Sequence, residues 1–541
     1  MIRPYLTLSF VLMAGAGLKP ALAGLSGAEH DPLAQTRPYE TSAPVVSRNR
    51  IDELVFGRLK ELGIEPAHLC SDAVFVRRAY LDVIGTLPTA QEARAFLADN
   101  DPNKRSALID RLLEREEFAD YWAMKWSDLL RVKSEFPINL WPNAVQGYHR
   151  WIRTSIKENM PYDRFVREML IASGSNFRVP QVNFYRALQS KEPQALAQAV
   201  ALTFMGVRAE GWPKERWSDM TVFFSHIGYK HTEEWKEEIV HFDPNTKDPK
   251  SEIQDSKLAV ATFPDGTTVP LSSGQDPRVV FADWLTAPGN PWFTRNVVNR
   301  VWSWLLGRGI IHEPDDIRPD NPPGNPELLA FLEKELIAAH YDLKHVYRLI
   351  LNSQTYQLSS ISRSDKPEAA ANFASYPLRR LEAEVLIDAF NQITGTTEQY
   401  SSAIPEPFTF IPEDQRSIVL ADGSITSSFL ELFGRPPRDT GLESERNNRP
   451  SAAQRLHLLN SSHIQRKIEQ GPKLLSLMQS RRKPLELVDE LYLTILSRYP
   501  TREELKVIAA RAPGPGGGRG REGFVDLAWA LFNSAEFLYR H

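Results

Sequence analysis

Cysteine is almost absent from this chain, which contains a single one, Cys70, among 541 residues. One thiol cannot form an intrachain disulfide, and it cannot supply the several ligands of a cysteine zinc cluster. Covalent c-type haem is excluded as well, because its attachment needs Cys-x-x-Cys-His. We therefore expect no covalent haem and no other resident cofactor, and we interpret Cys70 as a small buried residue beside the start of a helix.

An excess of charge of one sign is also missing. The sequence has 64 Lys and Arg residues against 68 Asp and Glu, with a pI near 6.4. Nucleic-acid-binding domains usually carry a basic face and a high pI, so no nucleic-acid partner is predicted. The sequence has no Gly-x-Ser-x-Gly elbow, no P-loop and no Gly-x-Gly-x-x-Gly after a strand, which disfavours serine hydrolases and nucleotide-dependent enzymes.

Long apolar runs are confined to the N-terminus. Arg3 precedes a short apolar run, and Ala21-Leu22-Ala23 follows as a small-x-small sequence, which is the pattern of a secretory signal peptide. An uncleaved N-terminal anchor is the alternative. We expect residues 1–23 to be the signal peptide and 24–48 a flexible leader, so that the mature protein is periplasmic or extracellular and has no membrane span.

Apolar residues recur at helical spacing along most of the chain, which predicts a mainly α protein of several helical domains. We expect an N-terminal helical domain over residues 49–245 and a C-terminal helical domain over residues 290–541. The linker over residues 246–289 contains two short strand-like segments on either side of Asp265-Gly266. This pattern predicts a small β-hairpin insertion with a tight turn.

Two parts of the chain repeat one pattern. Thr89 and Glu92 recur as Thr501 and Glu504, and a Tyr-Leu pair precedes both at the same distance. Thr-x-x-Glu is a capping box and a common helix start, but the equal spacing favours a repeated helical hairpin. Repeated helical pairs usually form packing surfaces.

Three large aromatic residues, Phe118, Trp122 and Trp126, share the spacing i, i+4 and i+8. On a helix they would lie on one face. That face could stack against sugar rings, but burial of tryptophan is so favourable that we expect the three side chains to belong to the core.

Several longer motifs carry a resemblance to known families. In the first half, the sequence resembles the domain of unknown function 1549 at Ala79-Tyr80-Leu81-Asp82-Val83-Ile84-Gly85-Thr86-Leu87-Pro88-Thr89 and Met160-Pro161-Tyr162-Asp163-Arg164-Phe165-Val166. In the second half, it is similar to the domain of unknown function 1553 at Asn299-Arg300-Val301-Trp302, Gly307-Arg308-Gly309, Pro314-Asp315-Asp316, Asn325-Pro326-Glu327-Leu328-Leu329 and Leu458-Leu459-Asn460-Ser461. The resemblance implies an exported protein of planctomycete-type bacteria, often found with cytochrome c domains, and no particular activity.

The chain departs from this family pattern at two places. Many relatives carry Cys-x-x-Cys-His where this chain has Val207-Arg208-Ala209-Glu210-Gly211-Trp212-Pro213. Relatives also tend to carry Cys-x-Cys-Glu-Arg where this chain has Leu442-Glu443-Ser444-Glu445-Arg446. A haem, metal or redox role that depends on those cysteines cannot be carried over.

His226, His231 and His241 are the candidate metal ligands, with several glutamates between them. A zinc site takes two histidines and one glutamate in some enzymes. The spacing matches no zinc signature such as His-Glu-x-x-His, so we expect a solvated charged helix here and no metal.

His312, Asp315 and Asp316 lie in a proline-rich acidic loop and are the candidate catalytic residues. Such carboxylates could form an acid–base pair or a calcium site, although the register of an EF-hand is missing. The alternative, which we favour, is a connector whose aspartates cap turns. The loop remains a candidate because loops on rigid helices commonly carry function.

Asn299, Arg300, Arg308, Arg379 and Arg380 are the candidate ligand-binding residues. Forked hydrogen bonds from guanidinium groups suit a sulfated or carboxylated glycan. The favoured alternative is that the arginines are buried and paired with nearby carboxylates, since pairing is how such charges become buried.

These observations leave three functions open. The first is a helical binding or scaffold module for a partner protein or an extracellular polysaccharide, because the helices look repeated and no catalytic motif is complete. The second is an enzyme that acts on a glycan through the carboxylates of Asp315 and Asp316. The third is a cofactor-free relative of a haem-associated redox protein. Clustered carboxylates with perturbed pKa values would favour the enzyme, and a broad aromatic groove without them would favour binding.

Overall fold

The computed structural model describes residues 38–245, 258–272, 274–511 and 520–541. The predicted signal peptide, much of the predicted leader and part of the predicted linker lie outside these residues. Helices account for 53% of the residues and strands for 6%, which confirms the predicted mainly α fold. No helix in the described ranges combines the length and the apolar character needed to cross a bilayer.

Several helices of the first half begin at capping side chains that the sequence supplies. The helices of this half are α1 (Arg50–Glu61), α2 (Asp72–Ile84), α3 (Ala90–Ala98), α4 (Lys104–Leu113), α5 (Glu116–Leu129), α6 (Pro142–Lys157), α7 (Tyr162–Leu170), α8 (Asn183–Arg186), α9 (Pro193–Val200) and α10 (Lys214–Thr221). A π-helical turn, Ala201–Met205, continues α9. Ser71 caps α2 by accepting a hydrogen bond from the backbone of Val74, which satisfies one of the free N–H groups of the first turn.

Some helices of the second half also begin at side-chain caps, among them Asn325 and Asp342. The helices of this half are α11 (Pro277–Leu285), α12 (Phe293–Leu306), α13 (Pro326–Ala338), α14 (Leu343–Leu351), α15 (Glu368–Ala371), α16 (Ala383–Thr394), α17 (Ser428–Leu432), α18 (Ala452–Asn460), α19 (Ser462–Gln470), α20 (Pro472–Gln479), α21 (Pro484–Leu496), α22 (Arg502–Arg511), α23 (Gly520–Phe532) and α24 (Ala535–Leu538). Gly307 and Gly395 end α12 and α16 in the left-handed conformation, which glycine adopts without strain.

The strands of the described residues form three small antiparallel sheets. Strands β1 (Gly174–Ser175), β2 (Ile227–His231) and β3 (Glu238–Phe242) form one sheet in the order β1-β3-β2. Strands β4 (Leu258–Thr262) and β5 (Thr268–Ser272) pair as the hairpin that the Asp-Gly turn predicts. Strands β6 (Arg379–Arg380) and β7 (Tyr539–Arg540) pair residues that are far apart in the chain.

The expectation of a solvated charged helix around His231 is wrong, because this segment forms the hairpin β2–β3. Ile227, Tyr229, Ile239 and Val240 belong to its strands, and β-branched and aromatic residues favour a pleated, half-buried surface. Lys236 adopts a positive φ of 63° close to the tip of the hairpin. The chain reverses its direction at this tip, which is incompatible with a continuous helix.

One buried core extends through both halves, from Ile51 to Phe537. The aromatic stripe of α5 belongs to it, as predicted. Trp122 is 2% exposed, and its ring lies 4.5 Å from that of Tyr347 and 5.3 Å from that of Trp304. The stripe borders a cavity of about 40 Å³, far below the roughly 150 Å³ that admits benzene, so a sugar ring does not fit there.

The repeated sequence pattern forms the same local structure twice. Glu92 accepts from the backbone of Thr89 at 2.8 Å, and Glu504 accepts from the backbone of Thr501 at 2.7 Å. The two helical hairpins also pack together, because Leu493 of α21 lies in one apolar cluster with alanines of α3. The repeat is therefore used as a packing surface.

Candidate functional site

The acidic loop is tied into the protein by Asp315. Asp315 and Arg300 are each 1% exposed, and Oδ1 of Asp315 lies 2.9 Å from Nη2 of Arg300. Oδ2 of Asp315 accepts a hydrogen bond of 2.6 Å from the backbone N–H of Glu443. The side chain of Asn299 bonds both the N–H and the carbonyl oxygen of Ile311. These contacts hold the loop against α12.

Asp316 does not join Asp315 in a common site. Its carboxylate lies 3.2 Å from Nε of Arg318, near the surface. His312 lies at the surface with part of its side chain buried, and this partial burial together with the charge of Arg308 lowers its pKa. Glycosidases need two carboxyl groups on either side of an open cleft, and the buried Asp315 does not offer its carboxylate to solvent.

Two of the candidate ligand-binding arginines, Arg379 and Arg380, donate to the protein backbone. Arg379 donates to the carbonyl oxygens of Trp304 and Leu305 at 2.7 Å each, at the end of α12. Arg380 donates to the carbonyl oxygen of Phe433 at 2.6 Å. Cations at a helix C-terminus satisfy its free carbonyl groups and interact favourably with the helix dipole. These side chains therefore connect elements of the fold.

The three candidate metal-ligating histidines do not converge. His231 pairs with Glu238 across the hairpin and His241 pairs with Gly228, so the two histidines lie three residues apart along the strands. At about 3.4 Å per residue, this is roughly 10 Å. Nδ1 of His226 contacts the carbonyl oxygen of Asp243 instead. Among the described residues, no group of three or more His, Cys, Asp or Glu side chains is placed to hold a metal ion.

Exposed aromatic side chains gather on another surface, which we call the aromatic surface. It consists of Trp141, Trp235, Lys236 and Phe408. The ring of Trp141 lies 6.4 Å from that of Trp235 at an angle of 85°, and 5.4 Å from that of Phe408 at 59°. Trp235 is 69% exposed and Phe408 is 51% exposed. Large exposed apolar groups of this kind mark interaction sites.

Three segments from different parts of the chain build the aromatic surface. Trp141 closes the loop between α5 and α6, Trp235 lies at the tip of β2–β3, and Phe408 follows α16 by a long connection. Two more exposed side chains, Phe136 and Phe410, lie on the first and third of these segments.

The hairpin tip that carries Trp235 is held in place by buried polar groups. Asn176 donates to the carbonyl oxygen of Lys236 at 3.2 Å and accepts from the N–H of Glu238 at 2.9 Å. Thr232 donates to the carboxylate of Glu237 at 2.7 Å. Because both ends of the tip are bonded, its two exposed side chains project from a fixed backbone.

The loop that carries Trp141 is fixed from the other half of the chain. The N–H of Ser134 donates to Asp422 at 2.9 Å, and the N–H of Glu135 donates to Ser424 at 3.0 Å. Trp141 itself has φ 73° and ψ 146°, a conformation that costs a residue with a side chain about 1–3 kcal/mol. Strain of this kind persists where the surroundings enforce it, and it clusters at functional sites.

Lys236 gives the aromatic surface its charge. Its Nζ lies 5.3 Å from the ring centre of Trp141 and 5.2 Å from that of Trp235, within the range of cation–π attraction. The surface thus presents flat apolar rings beside a solvent-exposed cation. It can stack against a flat ligand and pair with an anionic substituent.

Sequence reasoning missed the aromatic surface because its members are far apart in the chain. A local signal was present at Trp235, which stands alone among the charged residues Glu233, Glu234, Lys236 and Glu237. A large indole in so polar a segment has no apolar neighbours to form a core with. Such a residue is a candidate for an exposed contact.

Comparison with known families assigns both halves of the chain. Residues 50–210 match PSCyt2, a protein of unknown function (DUF1549), and residues 277–511 match PSD1, a protein of unknown function (DUF1553). The two matches together span most of the chain, which therefore belongs to the family of proteins that combine these two domains. No curated protein and no solved structure matches it. Trp141 lies in the first matched region, Phe408 in the second and Trp235 between them.

Proposed function

We propose that this protein is an exported binding protein that holds an extracellular polysaccharide on its aromatic surface. The observation that carries the proposal is the cluster of Trp235, Trp141 and Phe408, in which the rings of Trp235 and Phe408 are exposed. Export rests on the signal peptide predicted over residues 1–23. Binding is favoured over catalysis because side chains of the acidic loop are engaged in contacts within the protein. The main one is the buried ion pair of Arg300 and Asp315.

A glycan suits the chemistry of this surface better than a protein partner. Sugar rings present apolar C–H faces with hydroxyl groups around their edges, and tryptophan combines a flat apolar face with a polar N–H group. Charged side chains, Glu233, Glu234 and Lys236, flank Trp235 and can bond hydroxyl groups. The cores of protein interfaces are instead depleted of charged residues.

The test is binding of the mature protein to an array of soluble polysaccharides, followed by calorimetric titration with those that bind. Replacement of Trp235 by alanine should weaken binding at least about fivefold, because truncation of a central tryptophan costs more than about 1 kcal/mol in binding sites. Trp235 is largely solvent-exposed, so the variant should retain its stability. Lys236→Gln should weaken binding of carboxylated or sulfated glycans more than of neutral ones.

Trp529→Ala is the matched control, because Trp529 is also exposed but lies on α23, away from the three segments of the aromatic surface. It should leave the affinity unchanged. Equal weakening by both tryptophan substitutions would count against a specific site. A protein captured from the host through Trp235, with no polysaccharide bound in the array, would show that the occupant is a partner protein and would overturn the proposal.

A further inference from the structure

His457 and His463 face each other where two helices of the second half meet. His457 lies in the last turn of α18 and His463 in the first turn of α19, with Ser461 between the helices. Nε2 of His457 lies 3.5 Å from Nδ1 of His463. Both side chains are partly exposed. The ring of Phe429 contacts both imidazoles, at 5.8 and 6.0 Å between ring centres, and restricts their orientation.

A carboxylate fixes the tautomer of His463. Oε2 of Glu398 lies 2.9 Å from Nε2 of His463 and 3.2 Å from Nζ of Lys467. A carboxylate can only accept at this nitrogen, so Nε2 of His463 carries a proton and Nδ1 faces His457.

The cluster does not have the geometry of a serine hydrolase. Oγ of Ser461 lies 3.4 Å from Nε2 of His457, which is the same nitrogen that faces His463. In a catalytic triad the nucleophile and the acid contact opposite nitrogens of the histidine. Ser461 also accepts the backbone N–H of His463 as the cap of α19. The distinctive feature of the cluster is a pair of imidazole nitrogens that face each other, while Glu398 contacts the other nitrogen of His463.

We infer that Nε2 of His457 and Nδ1 of His463 bind a divalent transition-metal ion of the Zn²⁺ class. Zn–N bonds of about 2.0–2.1 Å in tetrahedral geometry place two ligand nitrogens about 3.4 Å apart, which matches the separation of 3.5 Å. A carboxylate such as Glu398 is the usual partner of the distal N–H of a zinc-bound imidazole. Since no three-residue group forms within the described ranges, water completes the coordination, and the ion remains exchangeable.

The experiment is titration of the mature protein with Zn²⁺ by calorimetry and with Co²⁺ by its visible absorption. We expect one site that is lost in His457→Ala and in His463→Ala. Glu398→Gln should weaken it about 10–100-fold, the usual effect of removing an orienting carboxylate. His345→Ala is the matched control, because His345 forms a similar pair with Glu335 at 3.1 Å on α14 and α13. That variant should bind as tightly as the wild type.

Zn²⁺ binding that survives both histidine substitutions would overturn the inference, and so would no binding at millimolar Zn²⁺. Circular dichroism checks that each variant is folded. His463→Gln, which retains a polar group beside Glu398, replaces the alanine variant if that one unfolds, and it should also lose the Co²⁺ absorption. The measurement uses no glycan, so its result is independent of the proposed function.

Discussion

Replacement of Asp315 by alanine is the sharpest test of whether the acidic loop is structural. The change leaves Arg300 buried at 1% exposure without its nearest carboxylate. The closest remaining carboxylate oxygen belongs to Glu443, at 3.5 Å from Nη1 of Arg300. The backbone N–H of Glu443 loses its acceptor at the same time. Removal of one partner from a buried ion pair costs about 3–5 kcal/mol, and we expect a loss of this size.

Asp316→Ala is the matched control, one residue along the same loop. Its partner, Arg318, is 45% exposed, and exposed ion pairs contribute about 0–1 kcal/mol. A third variant with Arg300→Met and Asp315→Leu together should regain most of the lost stability, because it removes both buried charges.

The assay is urea unfolding followed by fluorescence and circular dichroism, with polysaccharide binding measured under conditions where each variant is folded. If the loop is structural, Asp315→Ala shifts the unfolding midpoint strongly and leaves the affinity of the folded protein unchanged. A variant that is as stable as the wild type but has lost binding or a glycan-cleaving activity would refute the reasoning and favour the enzyme hypothesis.

The remaining predictions concern a buried carboxylate and the mature N-terminus. The carboxylate of Glu382 lies 2.7 Å from Nζ of Lys125 and also pairs with Arg540. Burial opposes the ionisation of Glu382, but these two cations outweigh it and hold the pKa of Glu382 well below the ordinary value of 4.5. Glu382→Gln should therefore destabilise the protein by about 3–5 kcal/mol at pH 7, with the difference from wild type shrinking as the pH falls below about 4.5. A pH-independent difference in urea unfolding would contradict this. Mass spectrometry of the exported protein should find Gly24 as the first residue, whereas a product that retains Met1 would refute cleavage.

The sequence predicted those parts of the fold that short-range patterns determine. Helices were predictable because apolar spacing and caps such as Thr89 with Glu92 act within a few residues. The hairpin β4–β5 was predictable from its Asp-Gly turn. Pairing of β6 with β7 was not, because Arg379 and Arg540 are brought together only by the packing of the whole chain.

The candidate site was harder to predict than the fold for the same reason. For the candidate arginines, the alternative interpretation was burial beside a carboxylate. Arg300 has this environment, because a buried guanidinium group requires a partner. The hairpin β2–β3 was missed because a run of glutamates around its tip is also typical of a solvent-exposed helix. Each strand has only five residues, too few to show a clear alternation of apolar and polar side chains. No pattern in one sequence indicates that Trp141 and Phe408 lie side by side.

Buried ion pairs between the two matched regions explain how an aromatic surface assembled from distant segments can be rigid. Lys125 of the first region pairs with Glu382 of the second, and Asp128 of the first pairs with Arg446 of the second. Such pairs add little net stability compared with apolar packing, but a shifted arrangement would leave a buried charge without its partner. We attribute to them the selection of one relative position for the two regions. A surface held in one position loses little conformational entropy when a ligand binds. The proposed binding of a polysaccharide by a few aromatic rings depends on this preorganisation.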